Sequence, residues 1–402
     1  MIRVAITGVG VISGIGKTVP EFWESLQQGR SGIRPIQTAD CSTLRFRNGA
    51  EVPQYDTSEY FADKQAQFLD RFAQFAVIAA REAVQDAALD WTPALRSDAA
   101  VITGACVGGQ SSQDEGFVNL YRLNRNRVHP LTIPRTMANA GASHISMEFG
   151  LTGPGFTLST ACSSAAHAIG LAYWLVRSGG APLAITGGSE APFSLGLLKA
   201  WEAMRVVSPT TCRPFCRDRD GMILGEGAAM FVLEPLESAQ ARGARVYAEL
   251  VGFGMSSDAS HITHPSTEGP ALCMKRALSD AGIEAKQVGY INAHGTGTEV
   301  NDPTEAAAIR QVFGTHASQI PVSSTKSMHG HALGAAAAME AAATVLALQH
   351  KTLPPTANFT ELDPACDLDV IANHARPAEV EYGLSNSFAF GGLNASLLFR
   401  RA

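Results

Sequence analysis

Charge is scarce in this sequence. Of 402 residues only 17% are Asp, Glu, Lys or Arg, and 31 basic residues face 37 acidic ones, a formal net charge of −6. A nucleic-acid binder needs a basic surface to displace counterions from phosphates, so that class is disfavoured. Docking of an acidic protein partner stays open, because it depends on a local patch and not on the sum. No run of 18 or more apolar residues occurs; the Ala-rich stretch 334–349 is broken by Glu340. A membrane-spanning helix is therefore not expected. The apolar start MIRVAITGVGVISGIG has no clear basic n-region or cleavage site, and reads as a strand followed by a Gly-rich turn. A disulfide framework is also missing: the seven cysteines (Cys41, Cys106, Cys162, Cys212, Cys216, Cys273 and Cys366) are odd in number and scattered. Together these absences point to reduced thiols and a cytoplasmic setting.

What is present is apolar and small. Hydrophobic residues make up 46% of the chain and there are 38 glycines, a composition suited to a large, closely packed α/β enzyme. Short apolar runs read as buried strands at Arg3–Thr7, Ala100–Thr103, Leu183–Thr186, Met230–Leu233, Val246–Val251, Val288–Asn292, Ile320–Ser323 and Ser396–Phe399. Helical periodicity alternates with them. In 68–88, Phe72, Phe75, Ala76, Ala79, Ala80, Ala83, Val84 and Ala87 fall on one face. In 302–313, Asp302-Pro303-Thr304-Glu305 reads as an N-cap, a first-turn proline and an acid, with Gly314 as the stop. The β/α alternation runs from end to end, which favours stacked α/β layers. No Pro/Gly/Ser linker separates autonomous domains; a division after Glu237–Gly243 splits the strands into two groups, 1–243 and 244–402. The residues show no internal repeat.

Four patterns mimic other chemistry. Gly10 to Thr18 resembles a phosphate-cradling loop, but the first glycine of GxxxxGK(S/T) would fall on Val11. Gly8 and Gly10 hint at a dinucleotide fingerprint, but Ser13 stands where its third glycine belongs. Cys212/Cys216 and His261/His264 are each half of a metal site, and no sequence neighbour completes either.

Four stretches carry stronger signals. In Phe156–His167 a strand ends near Ser159 and a helix, apolar nearly all round, runs from about Cys162 to Arg177. Cys162 thus sits at a buried helix N-terminus, where the dipole and free N–H groups favour the thiolate. In Ile291–Thr298 a strand runs into a small-residue loop presenting His294. Ser323–His331 carries Lys326, His329 and His331 ahead of the Ala-rich helix, and Asn386–Asn394 places a glycine pair, Gly391-Gly392, between two C-terminal strands. Glycines at strand ends let backbone approach a substrate closely. Asp302 and Glu305 are accounted for as helix caps.

Together the four stretches closely resemble the elongating β-ketoacyl-acyl-carrier-protein synthases, over nearly the whole chain from VAITGVGVIS to NASLLF, including Tyr247–Ala259, Arg213-Pro-Phe and Arg219-Asp220-Gly221. The resemblance implies the thiolase-like fold, two similar α/β halves forming five layers, αβαβα, usually as a dimer. It implies that Cys162 accepts an acyl chain, that His294 and His331 hydrogen-bond a malonyl thioester, and that Lys326 supports them, with Glu340, Thr296 and Thr298 assisting. The backbone N–H groups of Cys162 and Phe390 would form the oxyanion hole, and Ala389-Phe390-Gly391-Gly392 the gate. By position Val107 and Trp201 would line the acyl pocket, and Lys64, Arg127 and Arg205 would belong to the carrier-docking surface. The implied reaction is a decarboxylative condensation with no metal or organic cofactor, with acyl- and malonyl-loaded acyl carrier protein as partner. The chain would work as a homodimer or as the active half of a heterodimer with a chain-length-factor-like partner. A degradative thiolase would need a second catalytic cysteine, and Cys366, in an acidic loop, is a poor candidate. A pure scaffold would leave the Cys-His-His-Lys set unexplained.

Three positions depart from the family pattern. Ala389 replaces the first glycine of the gate, where a Cβ would restrict positive φ. Leu393 replaces a threonine after it. His329 replaces a threonine beside His331, as an extra polar group near the site or a surface change. These departures suggest a specialised enzyme, serving a polyene or another dedicated acyl chain.

Overall fold

The computed structural model describes all residues, 1–402. Ten strands build its centre: β1 (Val4–Ser13), β2 (Ala100–Gly104), β3 (Gly155–Leu158), β4 (Ala184–Glu190), β5 (Gly227–Pro235), β6 (Ala248–Ser257), β7 (Val288–Asn292), β8 (Pro321–Ser323), β9 (Tyr382–Ala389) and β10 (Leu393–Arg401). The first five lie in the spatial order β3-β2-β4-β5-β1 and the second five in the order β8-β7-β9-β10-β6. These are one order, third-second-fourth-fifth-first, used twice. The directions repeat as well: β3, β2 and β4 are parallel and β5 and β1 alternate, as do β8, β7 and β9, then β10 and β6. The duplication invisible in the residues is plain in the topology. The two sheets join where Val4–Ile6 pairs with Ala248–Leu250, and the two-residue strand Asp369–Val370 extends the β8 edge.

Helices separate and cover the sheets. α1 (Arg71–Ala87) and α2 (Ala140–Phe149) pack on the outer face of the first sheet, α5 (Glu268–Ala281) and α6 (Asn301–Phe313) on that of the second, and α4 (Leu195–Met204) lies against a smaller cluster with Phe193 and Met222. Between the sheets lie α3 (Ser164–Arg177) and α7 (Ala336–His350), whose alanines belong to a buried cluster drawn from both halves. Outer helices, sheet, inner helices, sheet, outer helices make the five layers of the expected fold. Small side chains set the spacing. Thirteen consecutive residues of α7, Ala336–Leu348, are buried, so alanines let it approach α3 closely. Gly8 and Gly10, the glycines that mimic a nucleotide motif, face α1: a Cβ on either would stand 2.0 Å from the carbonyl oxygen of Ala83 or Ala79. They are packing glycines of β1.

This arrangement brings the strand-end loops of both halves to one place. The loop after β3 carries Cys162 into α3, the loop after β7 carries His294, and the turn before α7 carries His331. The β9–β10 turn closes over them. No helix is long and apolar enough to cross a membrane.

Candidate active site

Cys162, His294 and His331 line a single cavity of about 390 Å³, together with Trp201, Thr296, Thr298, Phe388, Ala389, Phe390 and Gly392. The cysteine is delivered by a sharp turn: Ala161 adopts φ +50°, and α3 begins at Ser164 with Ser163 as its cap. Ser163 Oγ lies 2.9 Å from the Leu393 carbonyl, which ties the nucleophile's turn to the second half of the molecule. Burial opposes the thiolate that the helix start favours. Burial pushes the Cys162 thiol up to about 12, with Lys326 opposing and Glu340 and Glu190 adding to the rise. The N–H groups of Ser163 and Ser164 bond the carbonyls of Thr160 and Ala161.

The two histidines form an edge-on pair with ring centroids 5.6 Å apart. Their partners fix their tautomers. Lys326 Nζ lies 3.2 Å from His294 Nδ1 and 2.6 Å from the His294 carbonyl oxygen. The backbone N–H of Leu333 donates to His331 Nδ1 at 3.2 Å. With each Nδ1 accepting, each Nε2 carries the proton and is the nitrogen left to donate. Burial first, then the Lys326 charge, holds both imidazoles well below the usual histidine range, so the pair is neutral. Lys326 is fully buried and ion-pairs with Glu340, whose carboxylate has no other hydrogen-bond partner. Thr296 and Thr298 hydroxyls stand 2.8 Å apart on the cavity wall. The backbone N–H groups of Cys162 and Phe390 bond no acceptor elsewhere in the chain.

The same architecture appears in known proteins. The Beta-ketoacyl synthase N-terminal domain model matches residues 1–239 and the C-terminal domain model residues 247–360. The chain belongs to the β-ketoacyl synthase family. It is 46% identical to Nodulation protein E of Rhizobium sp. (strain N33), over 99% of each chain. It is 40% identical to 3-oxoacyl-[acyl-carrier-protein] synthase 2 of Staphylococcus aureus (strain MRSA252), covering 100% of this chain and 98% of the other. The ishigamide ketosynthase/chain length factor structure superposes with TM-score 0.95 at 38% identity, covering 100% and 99%.

Several positions in this synthase differ from their sequence reading. Asp302 and Glu305 do not cap α6, whose cap position is Val300. Both are buried inside it and hold other loops. Glu305 accepts the N–H groups of His294 and Gly295, each at 2.8 Å, and Asp302 accepts that of Phe215 at 2.8 Å. The sequence trace of this role is a pair of acids three residues apart, Asp302 and Glu305, flanking Pro303. Glu190 was missed altogether: it accepts the N–H groups of Cys106, Val107 and Gly334 and joins the Cys162 side of the cavity to the His331 turn. Ala389 ends β9 in extended conformation, and the positive φ values of the gate fall on Gly391 (+84°) and Gly392 (+68°). The extra Cβ is therefore accommodated without strain. His329 is no surface residue. It is fully buried, its Nδ1 2.8 Å from the Gly330 carbonyl oxygen and its Nε2 3.0 Å from Thr325 Oγ1.

The outlying expectations scatter. Val107 is half-buried and hangs from Glu190, outside the wall around Cys162, whereas Trp201 is in that wall. Arg205 is exposed at the cavity mouth; Lys64 is exposed on a short helix, and Arg127 lines a separate polar hollow with Arg125 and Arg135. Cys366 is buried in the outer core of the second half and does not reach the cavity. His261 and His264 stand at the cavity rim, their Nδ1 atoms 3.2 Å apart.

Proposed function

We propose that the protein condenses an acyl group held on Cys162 with a malonyl group held on acyl carrier protein, giving a 3-oxoacyl carrier and CO2. The observation that carries this reading is the neutral pair of Nε2–H donors sharing a cavity with a buried cysteine. Acyl transfer forms the Cys162 Sγ–acyl bond, and the thiol proton leaves with the carrier's thiolate. Covalent capture splits one hard condensation into two easier steps. His294 and His331 then donate to the malonyl thioester oxygen. Loss of CO2 leaves its electron pair as an enolate on that oxygen, where fixed donors in a dry cavity stabilise it most. The enolate carbon attacks the acyl carbonyl, whose oxyanion is received by the N–H groups of Cys162 and Phe390. Collapse expels the Cys162 thiolate, which regains a proton. Lys326 and Glu340 hold His294 in its donating tautomer, and Thr296 and Thr298 line the approach of the carrier's arm. No step calls for a metal or organic cofactor.

In this reading residues 1–243 supply the nucleophile and 244–402 the histidines, lysine and gate. Arg205 at the cavity mouth is the first docking contact for an acidic carrier, with Lys64 and Arg127 further out. The enzyme is cytoplasmic, a location that suits its seven free cysteines. The similarity to a ketosynthase/chain length factor structure favours a second arrangement, in which this chain is the active half of a heterodimer. The deciding experiment is intact-mass analysis after mixing the enzyme with a medium-chain acyl carrier and malonyl carrier, with Cys162→Ala in parallel. Wild type gains the acyl mass and yields a carrier product extended by two carbons; the variant does neither. An unmodified wild-type enzyme with no product would refute condensation by this chain alone.

A further inference from the structure

Behind the cavity wall stands a charged residue that the condensation does not use. Arg219 does not line the cavity, and its side chain is only 6% exposed. Its guanidinium reaches the loop that carries Thr298. Nε donates to the Thr298 carbonyl at 3.0 Å and Nη2 to the Glu299 carbonyl at 3.2 Å, while Nη1 donates to the Cys216 carbonyl at 2.8 Å and ion-pairs with Asp363. The buried Asp302 carboxylate lies 4.0 Å from Nε and accepts the Gly297 N–H at 3.2 Å. Gly297 has φ +75°, and its carbonyl accepts the Gly221 N–H at 3.0 Å. The backbone of three successive residues, 297–299, is thus held from behind. The middle one, Thr298, lines the cavity with its hydroxyl 2.8 Å from that of Thr296. Fold stability does not call for this arrangement. Taking a guanidinium out of water is costly, and replacing a buried ion pair by apolar side chains of similar volume is often neutral or stabilising. An apolar side chain cannot fix two consecutive carbonyls, however, and a lysine, one point charge on a flexible stem, cannot span them as a planar fork does.

We propose that Arg219 is a positioning residue: by holding the Thr298 and Glu299 carbonyls it keeps the Thr296–Thr298 hydroxyl pair where the amide groups of the malonyl carrier's arm bind. The inference rests on the condensation reading, in which those threonines line the arm's approach. Of two hydroxyls bonded to each other, one keeps a free O–H and both keep a lone pair, so the pair can donate to an amide carbonyl and accept from an amide N–H. The arm does not change during the reaction. Misplacing its partners therefore weakens ground state and transition state alike, which raises the half-saturating substrate concentration and leaves the limiting rate.

In the test, enzyme is first converted completely to acyl-Cys162, checked by intact mass. The single-turnover condensation rate is then followed against malonyl carrier concentration for wild type, Arg219→Lys, Thr298→Val and the double variant. Arg219→Lys keeps the charge beside Asp302 and Asp363 but loses the fork. It is expected to raise the half-saturating concentration about fivefold, the worth of one hydrogen bond, with the limiting rate changed less than about twofold. Thr298→Val should do the same, and the double variant should be no worse than the worse single one, since both act through one hydroxyl. A merely structural loss would lower the amount of product per enzyme and leave half-saturation unchanged. That result would overturn the inference, as would an unaffected Arg219→Lys or effects that multiply in the double variant. Arg219→Gln, which still donates to one carbonyl, is made alongside; if neither Arg219 variant folds, Arg219 serves the fold and the inference is lost. Failure of wild type to acylate Cys162 or to consume malonyl carrier would instead strike the condensation reading beneath it.

Discussion

His329 shares one stretch of the pH–stability curve with the other buried histidines, His294 and His331. Burial first, then the Lys326 charge, holds the His329 imidazole down at about 3, while an unfolded histidine titrates near 6.5. Between those values the unfolded chain binds a proton that the folded chain refuses, so stability falls as pH drops below about 6.5. A fully buried, neutral histidine contributes up to about 1.4 kcal/mol per pH unit to that slope. His329→Gln keeps the polarity without the titration. Denaturant midpoints at neutral and mildly acidic pH should therefore show a flatter acid limb for the variant than for wild type. Equal slopes would mean that His329 is not neutral and buried in the fold. The neighbouring residues divide sharply in how far sequence could reveal them. Cys162, His294, Lys326 and His331 were legible because each sits in a dense small-residue motif at a strand or helix end. The burial of His329, the protonated state of Cys162 and the loop-holding roles of Glu190, Asp302 and Glu305 were not. Each depends on which backbone N–H groups another part of the chain brings near, and no local pattern encodes that.

At the scale of elements, the β9–β10 turn forms part of the wall around Cys162. Two hydrogen bonds lace it to the neighbouring loop: Gly391 N–H to the Ile262 carbonyl at 2.7 Å and Asp258 N–H to the Gly392 carbonyl at 2.9 Å. The left-handed conformations lie at Gly391 and Gly392, and a Cβ on Gly392 would stand 2.4 Å from that of Asp258. Ala389 carries no such demand. Ala389→Gly should therefore change turnover by no more than about twofold, since glycine adds only backbone entropy at a position alanine already tolerates. Gly392→Ala should lower turnover by about tenfold or more, because the residue must strain or unlace the loop. Steady-state rates of the two variants decide it, and a reversed order would move the hinge to Ala389. The elements themselves were well marked in the sequence wherever apolar runs were continuous. Their edges were not: β1 continues from Thr7 to Ser13 through a register shift between Ile6 and Gly8, where glycines chosen for contact with α1 look like a turn.

The whole molecule leaves one sheet edge open. β3 is the outermost strand of the first sheet and pairs only with β2. Gly155 and Phe156 on it are exposed, and the same half exposes Phe117, Tyr121, Ile133 and Met147, with Tyr121 at 77% and Ile133 at 72%. An unpaired, partly apolar strand edge is a template for a second chain, and large exposed apolar side chains gathered in one half mark an association surface. In the proposed reading a chain of the same fold, identical or homologous, covers this edge by pairing strand to strand. Phe156→Asp places a charge at this edge without touching the cavity around Cys162. Sedimentation velocity should show wild type as a dimer, alone or with its homologous partner, and Phe156→Asp as a monomer of unchanged secondary structure. If the charge leaves the dimer intact, the chains meet elsewhere; if wild type alone is a monomer and dimerises only with a homologous chain, the heterodimer is the working enzyme.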